Sequence, residues 1–267
     1  MTKRALIMNK AGIGYPSRPV GKNISLVFDK PEIVSIIGPN GSGKSTVLKT
    51  LGRLLEPLGG TVFLDGKDIQ SMNSKTVARM IAMLPQSAQA PQDMTVRDLV
   101  LCGRLPYQNP FSSLTNEDVA AVQTAIEENG LSELQHRPLK DLSGGERQRA
   151  WLAMAIAQEP DILLLDEPTT FLDVRYQLEL MKLVEKLHHT RGITIIMVLH
   201  DLNHAAHYSD RLIAVKKGQI VADGPADEIF TETVLSNLYE VNMVFTKLDI
   251  DGETHTICVP YETGNKK

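Results

Sequence analysis

The chain has 267 residues, 42% of them hydrophobic and 22% charged, with a formal net charge of −4. That is the composition of a soluble globular protein with room for one large or two modest cores, and it argues against disorder. A duplex- or RNA-binding surface would show a basic excess that is missing here, so no nucleic-acid partner is expected.

The first ten residues carry Lys3 and Arg4, then only a brief apolar run before Asn9 and Lys10. They cannot supply the core of a signal peptide, so a cytosolic location is expected. The longest apolar stretch, Ile193 to Leu199, is far short of the roughly 20 residues that cross a bilayer as a helix, which assigns any channel to another polypeptide. Cys102 and Cys258 have no metal-ligand spacing around them and fit free thiols in a reducing compartment.

Along the chain, Ala5 to Phe28 holds apolar stretches punctuated by Gly12, Gly14, Pro16, Pro19 and Gly21, which predicts short antiparallel strands. Ile33 to Ile37 is a buried strand, followed by a glycine-rich turn and a helix over Ser45 to Leu54. The turn, Gly38-Pro39-Asn40-Gly41-Ser42-Gly43-Lys44-Ser45-Thr46, satisfies G-x-x-x-x-G-K-[ST] in the strand-loop-helix context that this pattern needs. Its glycines let successive amides curl around phosphate oxygens, Lys44 supplies a point charge to the β- and γ-phosphates, and Ser45 ligates Mg²⁺. The loop alone therefore implies a nucleoside triphosphate with Mg²⁺.

Thr61 to Leu64 with the Asp65-Gly66 turn adds another strand, and from about Pro91 to Asp141 the pattern becomes helical. Thr95 reads as an N-cap. Thr115 with Asp118 opens a helix carrying Val119, Val122 and Ile126 that stops at Gly130. Then comes Leu142-Ser143-Gly144-Gly145-Glu146-Arg147-Gln148. Ser143 and Glu146 form a capping box, but two glycines in a first helical turn each cost up to about 1 kcal/mol relative to alanine. Their missing side chains would let a phosphate reach the amides at the positive end of the helix.

Ile162 to Leu165 and Ile193 to Leu199 are continuously apolar, as central strands covered on both faces are. Asp166 and Glu167 end the first of these strands at the carboxyl edge of the sheet, where ligands bind in such folds; Asp166 would complete the magnesium shell and Glu167 would polarise an attacking water. His200 directly follows the second, whereas His204 and His207 recur at helical spacing, and His136, His188, His189 and His255 read as surface residues. After Gly224-Pro225 come a helical stretch with Ile229, Leu235 and Leu238 and a terminal hairpin turning at Asp251-Gly252, then a frayed tail from Thr263. Asp249-x-Asp251-Gly252 is too short for a calcium loop and reads as a turn. The expected fold is α/β, a P-loop NTPase core with a mainly parallel sheet, an antiparallel β subdomain and an inserted helical subdomain. It divides a single domain into a core over 1–90 and 151–223, a helical part over 91–150 and an extension over 224–267.

The order of the phosphate loop, the Leu142–Gln148 heptad and the Asp166-Glu167 strand end resembles that of ABC-type ATPases, over nearly all of the chain. The resemblance implies that the triphosphate is ATP, that Gln86 senses the γ-phosphate and magnesium, that Asp173 in Thr169-Thr-Phe-Leu-Asp173 contacts a dimer partner, and that His200 is the switch histidine. It also implies that Ser143, Gly144 and Gly145 meet a γ-phosphate held by Lys44 of a second copy, giving a two-fold homodimer with two sandwiched nucleotides. Tyr15 is the aromatic near the loop that could stack on adenine, as an aromatic does in this family, or it could be a simple turn tyrosine.

A finer resemblance, to iron-siderophore importer ATPases with haem and cobalamin importers as relatives, rests on Gly103-Arg-Leu-Pro106 with Phe111, Arg147 to Met154, Asp166 to Asp173 and Val198 to Ala205. Tyr107 and Asn203-His204 depart from the common pattern and leave the cargo open among these. The implied partners are a polytopic permease and, indirectly, an extracytoplasmic substrate-binding protein, with this chain peripheral on the cytoplasmic face of the inner membrane. ABC-type ATPases of DNA repair or translation are the alternative class, but the long heptad coiled coil and the second cassette they carry are missing. A switch GTPase would need N-K-x-D late in the fold, whereas Asn9-Lys10-Ala-Gly12 lacks the aspartate and precedes the loop.

Overall fold

The computed structural model describes residues 5–108, 113–250 and 252–263. Phe111, Asp251 and the tail from 264 onward therefore lie outside the described residues. In chain order the elements are β1 (Leu6–Tyr15), β2 (Arg18–Phe28), β3 (Ile33–Ile37), α1 (Lys44–Leu51), β4 (Gly59–Leu64), β5 (Lys67–Asp68), α2 (Ser74–Met80), β6 (Ile81–Leu84), α3 (Val96–Cys102), α4 (Asn116–Glu128) and α5 (Gly144–Ala157). They continue with β7 (Ile162–Asp166), α6 (Val174–Arg191), β8 (Thr194–Val198), α7 (Leu202–Tyr208), β9 (Arg211–Lys216), β10 (Gln219–Pro225), α8 (Ala226–Ile229), α9 (Glu232–Tyr239), β11 (Val241–Ile250) and β12 (Glu253–Thr263). Contacts gather them into two units, one of residues 1–70 with 196–267 and one of residues 71–195.

In the first unit β2, β1, β4 and β5 form an antiparallel sheet in that order. The glycines expected to break the N-terminal segment into short strands do not do so. They stand at register shifts between Met8 and Gly14, where bulges bend two long strands without ending them. Tyr15 consequently closes β1 and is not a loop residue. A second group places β3 parallel to β9 and β9 antiparallel to β10. All five residues of β3 are buried, as the continuous apolar run predicts. Helix α1 stops at Leu51, three residues short of the expected Leu54, because Gly52 caps it and Arg53 takes a left-handed φ of 61°. The expected C-terminal helix is two, α8 and α9, divided by the Thr231 hydroxyl, which accepts from Val234 N. Antiparallel β11 and β12 form the terminal hairpin.

In the second unit β6 and β7 pair in parallel, with every residue of β7 buried. Helices α3, α4 and α5 pack on one another, and Val96, Leu99, Val122, Ile126, Leu152 and Ile156 on them are buried. Thr95 and Thr115 cap α3 and α4 as read from the sequence, each through a box closed by Asp98 or Asp118. Val119, by contrast, faces outward at 39% exposure. The Gly103-Arg-Leu-Pro106 segment holds an anchor: buried Arg104 donates Nε to Asp118 Oδ1 (2.9 Å) and Nη1 to Ala157 O (2.8 Å) and Glu159 Oε2 (2.7 Å). Its guanidinium lies 3.9 Å from the Tyr107 ring centroid. The Arg104 bond holds the Asp118 carboxyl below the usual carboxylate range.

Candidate functional site

In the first unit the loop from Gly38 to Thr46 joins buried β3 to α1. Gly38 lies at φ 147°, so close to β9 that a β-carbon would stand 2.1 Å from Val215 O. No residue with a side chain fits there. The Gly218 amide donates to Ser42 O at 2.8 Å, tying the far side of the loop to the turn after β9. Lys44 is buried, and its ammonium donates to Gly38 O (2.8 Å) and Pro39 O (3.1 Å), so its charge sits inside the curl of the loop. Gly43 is the N-cap of α1 in the left-handed region, without a side-chain capping bond, and the first turn carries no acidic residue. The position a β-carbon would take at Gly41 has nothing within 4 Å. Ser42 Oγ is buried with no hydrogen-bond partner among the described residues.

The second unit brings Gln86 and Glu167 together: Gln86 Nε2 donates to Glu167 Oε2 at 2.6 Å, and Thr170 Oγ1 donates to the same oxygen at 3.2 Å. Glu167 takes a left-handed φ of 54°, a conformation that costs a non-glycine residue of order 1 kcal/mol and persists where its surroundings hold it. Asp166 next to it ends β7 and is buried.

Ser143 caps α5 through the expected box, with Glu146 N donating to Ser143 Oγ (3.3 Å) and Ser143 N to Glu146 Oε2 (2.8 Å). The Ser143 amide holds the Glu146 carboxyl below the usual glutamate range. The two glycines that follow differ. A β-carbon on Gly144 would meet nothing within 4 Å, whereas one on Gly145 would stand 2.5 Å from the Tyr176 ring. Gly145 thus has a packing reason that the sequence did not show. Tyr176 in turn donates its amide to Asp173 Oδ1 at 3.1 Å, which makes Asp173 the N-cap of α6 and places it beside the α5 start.

His200 is exposed between β8 and α7, whose N-cap is Asp201 (His204 N to Asp201 Oδ1, 2.9 Å). His204 and His207 lie on α7 against Tyr208, a helix face as read from the sequence. Tyr15 is 48% exposed. Three contacts had no sequence signal. Thr170 joins the Glu167 carboxylate; Asn203 exchanges bonds with the Cys258 backbone (2.9 and 3.3 Å); and Tyr239 Oη accepts from the Gly38 amide at 2.9 Å. The first joins two residues of the Asp166–Asp173 segment, whereas the other two link positions far apart in sequence whose neighbours carry no common pattern. Among the described residues no helix is long and apolar enough to cross a membrane.

The ABC transporter family profile matches residues 21–170. The chain is 42% identical over 259 residues to the iron(3+)-hydroxamate import ATP-binding protein of Bacillus subtilis strain 168, covering 97% of this chain and 95% of the relative. To the ferric enterobactin transport ATP-binding protein of Escherichia coli K12 it is 46% identical over 227 residues, covering 85% and 84%. Among solved structures it is similar to a metal-chelate type ABC transporter in an inward-facing conformation, with a TM-score of 0.85 and 27% identity over 97% of this chain and 98% of that one.

Proposed function

Because this chain belongs to the ABC transporter family, we propose that it is the ATP-hydrolysing subunit of a ferric-siderophore importer. It acts as a homodimer on a separate polytopic permease, peripheral to the cytoplasmic face of the inner membrane, with an extracytoplasmic binding protein delivering the cargo. The cargo reading is supported by the two siderophore relatives, one of them aligned over 97% of this chain, and neither is named for haem or cobalamin.

The loop fits a triphosphate. An uncapped helix start, a buried ammonium inside the curl and the buried Ser42 hydroxyl are donors that phosphate oxygens take, and Gly41 leaves open space beside them. In this reading Gly38 to Thr46 cradle the phosphates and Tyr15 stacks on adenine. Ser45, Asp166 and Gln86 offer the oxygen ligands suited to Mg²⁺, which neutralises charge on the phosphates when bound.

The observation that carries the ATPase reading is Glu167, a carboxylate held by two donors on a backbone of unusual φ. It takes the proton of the attacking water, while Gln86 sets its orientation and reports on the γ-phosphate, and His200 is the switch histidine. Ser143, Gly144 and Gly145 complete the site of the second copy. Phe171 at 93% exposure and Val174 at 71% flank Asp173 and supply apolar surface for that pairing. The segment 95–107, ending in exposed Leu105 and half-buried Tyr107, is proposed as the permease contact. Substitutions on its exposed positions are expected to abolish transport with basal ATPase largely intact; if transport survives them, the contact lies elsewhere, with the C-terminal segment next in line.

The test is growth with siderophore-bound iron as the sole iron source. A deletion strain is expected to fail, the wild-type gene to rescue it and Lys44→Ala not to; purified subunit binds ATP and no siderophore. Normal ferric-siderophore uptake in the deletion strain, with haem or cobalamin uptake lost, would move the cargo to that compound.

A further inference from the structure

The amide of Gly38 is the first of the phosphate loop, and it donates to a hydroxyl 201 positions away in sequence, Tyr239 Oη, at 2.9 Å. Gly38 is buried against the Val215 carbonyl, so without that hydroxyl its N–H would lose the acceptor that the protein gives it. Tyr239 closes α9, whose position is set independently. Leu235 and Leu238 sit in the core, and Glu240 takes a left-handed φ of 58° and returns its amide to Ser236 O at 2.8 Å. Lys216 bonds Asn237 O and pairs with Glu240 at 3.2 Å, a cation at the negative end of the helix. Two residues on, Gly218 donates to Ser42 O. The end of β9 and the turn after it therefore anchor both α9 and the loop. Burial pushes the Tyr239 phenol up to about 12, so it stays a protonated, neutral acceptor across the physiological range.

We infer that Tyr239 is a positioning residue for the phosphate-binding loop, its hydroxyl fixing the Gly38 peptide so that the amides that follow are aimed before nucleotide arrives. The C-terminal extension thereby becomes part of the nucleotide-binding apparatus; this rests on the ATPase reading above. A loop held in its bound shape loses less freedom on binding, so the bond favours the loop's bound form over looser ones. ATP and ADP should benefit alike.

The test is Tyr239→Phe, which keeps the ring and removes the acceptor. Dissociation constants for ATP and ADP are expected to rise together by about tenfold, the size of effect that follows when one buried donor loses its partner. The turnover number at saturating ATP should stay within about twofold of wild type, because the lost interaction is shared by ground and transition states. A merely structural tyrosine would lower the thermal midpoint and leave nucleotide affinity unchanged in the folded fraction, and that result overturns the inference while leaving the ATPase reading standing. A wild-type subunit that binds no ATP would remove both. If the variant does not fold, hydrogen exchange on the unmodified protein decides: a Gly38 amide exchanging slowly without nucleotide supports the bond, and one exchanging like an open loop amide overturns it.

Discussion

Two helix starts in this molecule look alike in sequence and are built in opposite ways. Helix α1 begins at a left-handed glycine with no side-chain cap and no acid in its first turn, and its Lys44 ammonium is tucked into the loop that precedes it. Helix α5 begins at a closed capping box whose Glu146 carboxylate already occupies the positive end. The first is prepared for an anion by itself. At the second, an incoming phosphate meets a carboxylate of like sign, so Gly144 and Gly145 can serve a phosphate only if its charge is largely balanced from elsewhere. In the proposed dimer, Lys44 of a second copy and magnesium would do that. On the proposed shared site, the difference means that one chain holds nucleotide at α1 and needs a partner for α5 to take part.

The largest effects should come from breaking the α1 side and its chemistry. Lys44→Ala should abolish measurable ATP binding with the fold retained; if α5 alone kept the affinity, the two helix starts would not differ as described. Glu167→Gln should keep ATP binding, lower hydrolysis by about 10²- to 10⁴-fold and accumulate an ATP-bound dimer on sizing in Mg-ATP. Hydrolysis at the wild-type rate would end the assignment of Glu167.

Next in size is the anchor at the far end of α5. Arg104→Ala leaves Asp118 buried without its cation and removes the donor to Ala157 O, so chemical denaturation should show a loss of about 3–5 kcal/mol.

The two glycines of α5 sharpen the comparison further. Gly145→Ala meets the Tyr176 ring and should cost about 1–3 kcal/mol of stability. Gly144→Ala meets open space and should stabilise the free subunit by up to about 1 kcal/mol. It should nonetheless lower ATPase in the dimer, a split between stability and activity that a pure capping role does not produce.

The smallest effect is acidic. The folded-state acidity of Glu146 is stronger than in the unfolded chain, so its contribution is complete above the ordinary glutamate range, about pH 4.3, and is lost as pH falls through the lower folded value. Thermal midpoints followed from about pH 6 to pH 3 should fall slightly less steeply for Glu146→Gln than for wild type. Identical slopes would mean that the box holds no charge-dependent stability.

What could be read from the chain beforehand was mostly local. The phosphate loop, the threonine caps and the Asp65-Gly66 turn each depend on a few consecutive residues, and the structure has all of them where the pattern placed them. Continuous apolar runs identified β3, β7 and β8 because both faces of these strands are covered. Glycines were read incompletely wherever a cause was distant. Gly12 and Gly14 mark bulges within a strand, and Gly145 yields to a ring 31 positions further on. Arg104 stood out as part of a kinship pattern, yet its partners come from α4 and from the end of α5, and spacing alone does not announce them. Tyr239 was invisible for the same reason, since nothing near position 239 points to a residue in the first unit's opening loop.

The central claim, that the α1 start of one copy works with the α5 start of another, is tested most directly by mixing two inactive chains and measuring ATP hydrolysis. Ser143→Arg damages only α5 and Lys44→Ala only the loop, so random pairing places one intact site in about half of the dimers. Each variant alone is predicted to be inactive, and the mixture to regain up to about a quarter of the wild-type rate, half the dimers each with one of two sites. Wild-type hydrolysis by either purified variant on its own would contradict the shared site.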